Sequence, residues 1–128
     1  MRSPEEHARR AVVHARSLHS ATMLAMADII ERIRNVLGEG EFLVLWEALV
    51  ERLNRELDTM QQYVRDVRAD LDGARVRLEQ HAGHEQARAA YGKLQQHFAE
   101  LAQMYISALL LYDRLLRALQ APRAVLTT

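Results

Sequence analysis

Cysteine is missing from all 128 residues of the chain. Without thiols there is no disulfide frame, no thiolate metal site and no cysteine nucleophile, and the redox compartment is left open. Proline occurs twice and glycine five times. The glycines are dispersed, which excludes a glycine-rich phosphate loop. An excess of charge is also missing, since Lys plus Arg and Asp plus Glu number 17 each. A balanced chain argues against nucleic-acid binding, which needs surplus cations on one face to neutralise phosphates. Long apolar runs are absent too. The most apolar window, Leu101–Leu116, has 16 residues and contains Asp113 and Arg114, whereas a spanning helix needs about 20 apolar residues. The opening MRSPEEHARR is charged where a cleaved signal peptide needs its apolar core. These absences predict a soluble, cytoplasmic protein with no membrane span.

The signatures of common chemistries are missing as well. Di-iron bundles need Glu-x-x-His on two helices, and no such spacing occurs; His97 and Glu100 stand in the reverse order. His-Glu-x-x-His, the helical zinc-protease pattern, does not occur either. Ser3, Ser17, Ser20 and Ser107 lie in helix starts or helices, without the strand–turn–helix that exposes a serine nucleophile. Ala15–Ala21, ARSLHSA, is similar to the His-x-Leu-Lys-Gly acceptor motif of histidine phosphotransfer domains, but Arg16 stands in place of the acceptor histidine. No catalytic group and no cofactor is expected, and the chain is expected not to be an enzyme.

What is present is helical periodicity. Ser3 as N-cap, Pro4 at the first helical position and Glu6 three residues after the cap form a capping box that starts a helix. Gly38 and Gly40 separate this helix from the next, Gly83 marks a second break, and Pro122 stops the third. In the first segment Ala11, Ala15, Leu18, Thr22, Ala25, Ile29, Ile33 and Val36 follow steps of three and four. In the second, Phe42, Trp46, Leu49, Leu53, Leu57, Met60, Val64, Val67, Leu71, Ala74 and Leu78 do so, with one extra four-residue step from Leu53 to Leu57. Gly73, within that series, is where the second helix would kink or break. In the third, Ala87, Tyr91, Leu94, Phe98, Leu101, Tyr105, Ala108, Tyr112, Leu115 and Leu119 alternate without fault, the pattern of a coiled-coil seam.

The predicted fold is therefore all-α, an antiparallel up-down-up bundle of three long helices in one domain over 1–128, with 123–128 as a flexible tail. Residues 39–82 carry six Arg against ten acids, while the flanking segments are each net basic by two charges. That alternation suits three neighbouring helices. Tyr91, Phe98, Tyr105 and Tyr112 recur at every seventh position on the seam of the third helix. No polar groups accompany them in sequence, so the ladder is expected to be core and not a ligand box.

Folding up-down-up gives the bundle two unlike ends. One collects the N-terminus and the second loop, and with them all six histidines. His81 and His84 flank Gly83, and His7 is expected near them; three imidazoles with Glu79 or Glu85 would suit zinc, nickel or copper, or would titrate near pH 6.5. The other end holds Ala21–Ile30, Phe42–Trp46 and Met104–Tyr112, which are apolar nearly all round. From Leu101 to Gln120, 14 of 20 residues are hydrophobic, against 7 of 17 from His84 to Glu100. A three-helix monomer buries only one stripe per helix, so a further cover is expected over Met23, Met26, Val44, Leu45, Trp46, Ile106, Leu109 and Leu110. A homodimer is the first expectation, and an amphipathic helix of a partner protein the second. The function expected is that of a non-enzymatic interaction protein (adaptor, export chaperone or assembly scaffold) self-associating through its apolar end. The alternative is a metal- or pH-sensing bundle that uses the histidine end.

Overall fold

The computed structural model describes residues 3–36, 38–81 and 83–127, with side chains described through Gln120. Three helices make up the fold: α1 (Pro4–Arg34), α2 (Glu39–Gln80) and α3 (Glu85–Thr127). At 1.5 Å per residue they are roughly 45 to 65 Å long. Each packs against both others. The direction of packing follows from paired residues. His14 meets Tyr63 and His19 meets Glu56, so α1 and α2 run antiparallel. Glu5 meets Lys93 and Arg16 meets Glu100, so α1 and α3 run parallel. The bundle is up-down-up, as the short connections require.

Local chemistry sets the helix ends. Ser3 Oγ accepts the Glu6 amide at 3.1 Å, and Glu5 and Glu6 place negative charge in the first turn, where the helix dipole favours it. The Glu6 carboxylate pairs with Arg10, one turn on. Helix α1 ends at Asn35, whose amide donates to the Arg32 carbonyl while the Val36 amide donates to that of Ile33, a few residues before Gly38, the N-cap of α2. Helix α2 is continuous through Gly73. Helix α3 runs through Pro122 to Thr127, so the proline does not stop the helix and 123–127 continue it. Proline's own φ near −65° is helical, so the backbone passes through it with the loss of one amide donor.

The core is one cluster. Its centre holds Leu49, Leu53, Met60 and Val67 from α2, Leu94, Leu101, Ala108 and Tyr112 from α3, and Ala8, Ala11, Val12, Ala15, Met26 and Ile33 from α1. The small residues of α1 fall in its N-terminal half and let that half lie close to its neighbours. Every position of the α3 seam is buried or half-buried, and Tyr91, Phe98, Tyr105 and Tyr112 all belong to the core or pack against it. The acidity of α2 is not spent on arginines of its neighbours. Among the described residues the interhelical Arg and Lys pairs are Arg16–Glu100 and Lys93–Glu5, both between α1 and α3.

Gly73 is exposed, and a Cβ there would meet nothing within 4 Å. Gly73→Ala is therefore expected to raise stability by about 0.5–1 kcal/mol through backbone entropy alone. Urea denaturation checks this, and a loss of stability would show that the helix is not regular at that point.

Candidate functional site

The seam of α2 contains a carboxylate. Glu56 is 1% exposed, between Leu53 and Met60. With Glu56 in the core, the steps Leu53 to Glu56 to Met60 are three and four, and the extra four-residue step moves on to Met60–Val64. An ionised carboxylate buried alone is strongly disfavoured, and two neighbours compensate it here. Tyr112 Oη donates to Glu56 Oε2. His19 Nδ1 lies 3.1 Å from Glu56 Oε1 and 3.0 Å from Tyr112 Oη, and its ring stacks on that of Tyr112 at 6.0 Å. When Glu56 is ionised it only accepts, and a proton on His19 Nδ1 then faces it. Arg52 is close enough to act on the Glu56 charge, and its Nε donates to the fully buried Thr22 Oγ1 at 3.4 Å. One polar layer thus crosses all three helices at mid-bundle.

Burial pushes the Glu56 carboxyl above its ordinary value, and the charge and hydrogen bond of His19 and the charge of Arg52 oppose that rise without cancelling it. Burial also raises the pKa of Tyr63, whose hydroxyl meets His14.

His19 is about one-third exposed and forms part of a groove of about 590 Å³ between α1 and α3. The groove floor is apolar, with Met104, Ala108 and Leu111, and its rim carries Arg16, Glu100, Gln103 and Ser107. The rim groups are already paired: Arg16 with Glu100 at 3.3 Å, and Gln103 Nε2 with Ser107 Oγ at 3.4 Å.

The histidines do not gather at one end. His14 and His19 lie along α1 against Tyr63 and Glu56, and His97 is half-buried with Nδ1 the buried polar atom left without a partner among the described residues. His7 is half-buried in the first turn of α1, while His81 caps α2 and His84 precedes α3, both exposed. Among the described residues no three His, Asp or Glu side chains group closely enough to hold a metal ion. His7 lies in a helix turn, and His81 and His84 are exposed at the connection between α2 and α3.

The residues expected at an interface divide. Met26 is 2% exposed and belongs to the core, because the α1 seam runs through Thr22 to Met26 and not through Ala25. Leu45 packs against the core, and Trp46 is half-buried, stacked on Phe42 at 5.9 Å. Met23, Val44, Ile106, Leu109 and Leu110 are exposed, and Leu24, Leu43 and Leu111 join them. No helix among the described residues is long and apolar enough to cross a membrane.

Comparison with protein-family models, with curated proteins and with solved structures finds no match to this chain. Sequence reasoning missed Glu56 and its layer. The extra four-residue step at Leu53–Leu57 spans that position, but nothing in the sequence separates Glu56 from the other acids of α2.

Proposed function

We propose that this chain is a non-enzymatic helical interaction module, an adaptor, export chaperone or assembly scaffold, that self-associates through the half of the bundle nearest the first loop. One observation carries the reading. Of the ten large apolar residues exposed among the described residues, eight lie in that half: Met23, Leu24, Leu43, Val44, Ile106, Leu109, Leu110 and Leu111. Exposure reaches 77% at Leu24 and 68% at Val44. Scattered apolar residues are normal on a surface, but a concentration of them in one region marks a place that another surface covers.

Magnitudes favour a dimer. Fully burying a Leu or Ile is worth about 1.5–3 kcal/mol. Several half-exposed ones from each of two copies reach the scale of the roughly 4–15 kcal/mol that association costs. Light scattering is expected to show a dimer at micromolar concentration. Leu110→Glu is expected to shift it towards monomer while the helical circular dichroism stays close to that of the parent. A parent chain that stays monomeric when concentrated, and binds no apolar dye, would remove the reason for this reading.

A further inference from the structure

Along α3 the residues facing the α1–α3 groove include Glu100, Met104, Ser107 and Leu111, at steps of four, three and four. The next step of three reaches Arg114, which is exposed and in no ion pair among the described residues. This stripe is acidic at its N-terminal end, basic at its C-terminal end, and small or apolar between. Ser107 is its midpoint, seven residues from each charge. A helix face of this kind is complementary to its own copy laid antiparallel, because reversing it exchanges the two charges and leaves Ser107 in place.

We propose that a second copy of this chain docks in the α1–α3 groove through α3. The two α3 helices run antiparallel about a twofold axis beside Ser107, and Glu100 of each copy faces Arg114 of the other. The inference rests on the self-association argued above and fixes which part of the apolar region forms the contact. In this register each charge lies about 10 Å along the helix from the axis, at 1.5 Å per residue. Met104 comes level with Leu110 of the second copy, and Gln103 with Leu111. Ser107, the smallest side chain on the stripe, sits where the helices approach most closely. Met23, one turn beyond His19 on the α1 wall and 40% exposed, is covered at the edge. Leu43 and Val44, on α2 across the bundle, lie outside the contact.

Charge pattern selects this occupant over others. Arg16, the cation on the groove rim, is neutralised by Glu100 at 3.3 Å, so the groove presents no basic face to a lipid headgroup or an anionic ligand. What stays uncompensated on the stripe is Arg114, and the acid that a reversed α3 brings opposite it is Glu100, which would then lie between Arg16 of its own copy and Arg114 of the other. In an isologous contact each pair occurs twice, so a charge reversal at either position creates two like-charge juxtapositions.

The test is a charge swap read by sedimentation equilibrium on the full chain. Glu100→Arg and Arg114→Glu are each expected to weaken the dimer by about tenfold or more. The double variant Glu100→Arg/Arg114→Glu is expected to recover most of the parent affinity. Both positions are exposed, and circular dichroism verifies that each variant is folded. Because the chain has no cysteine, Ser107→Cys supplies an independent readout: oxidation is expected to give a covalent dimer, and Leu43→Cys is expected to give none. A dimeric parent whose affinity is unchanged by both single reversals, with no preferential cross-link at Ser107→Cys, would overturn this interface while leaving self-association intact. A monomeric parent would overturn both.

Discussion

Leu101→Asp is expected to leave the chain largely unfolded at room temperature. Leu101 is 1% exposed and lies in the middle of the α3 seam, within a core that all three helices share. The change forfeits the burial of the leucine, about 1.5–3 kcal/mol. It then puts a carboxyl among apolar atoms, where it stays charged at great cost or takes up a proton and remains without a hydrogen-bond partner. The polar layer at mid-bundle does not help it. Tyr112, His19 and Arg52 are already engaged by Glu56 and Thr22. Together these losses approach the roughly 5–15 kcal/mol of net stability available to a domain. Gln96→Asp makes the same acid on the exposed side of the same helix and is expected to change stability by about 0.5 kcal/mol or less. Circular dichroism with urea denaturation separates them, and equal losses would mean that the phase of α3 is different.

Glu56 is expected to tolerate the isosteric amide but not truncation. Its raised pKa means that the folded protein holds this proton more tightly than the unfolded chain, whose carboxyl titrates near 4.5. Below that value both states are protonated. As pH rises from 4.5 through the folded pKa, the folded state binds more protons than the unfolded one, so stability falls across that window. Above it the cost of burying the charge is fully present. Glu56→Gln removes the titration, retains the volume and keeps one acceptor oxygen for the Tyr112 hydroxyl, while its amide NH2 faces His19, whose neutral ring accepts at Nδ1 by taking the other tautomer. Its melting temperature is expected to lack the decline expected of the parent above pH 4.5, and to equal or exceed the parent's at neutral pH. Glu56→Ala leaves the Tyr112 hydroxyl and His19 Nδ1 without their acceptor and opens a cavity, with an expected loss of about 1–3 kcal/mol from the unmet hydrogen bonds alone. Thermal melts of the three proteins over a pH series decide the matter. The account fails if the parent gains stability relative to Glu56→Gln as pH rises through that window.

The number of helices, their order and most of the core are legible in the amino-acid pattern alone. Ser3, Pro4 and Glu6 set the start of α1, the glycine-containing breaks set the two connections, and steps of three and four placed every seam residue of α3 inside. Those features are local: a cap acts within one turn and an apolar stripe declares itself on a single helix. Where the polar groups go depends on contacts between helices. Glu56 looks like one more surface acid in a helix with ten, and its burial depends on His19 and Tyr112, which lie 37 and 56 residues away. The histidines show the converse. Spacing gathered His7, His81 and His84 at one end, but whether imidazoles converge depends on how each helix is rotated about its axis. Met26 likewise turned inward where Met23 turned outward, because a rotation of α1 by less than one residue's angle decides which methionine meets the core. Periodicity fixes that a face is buried; the packing of three helices against one another fixes which residues at its margins are.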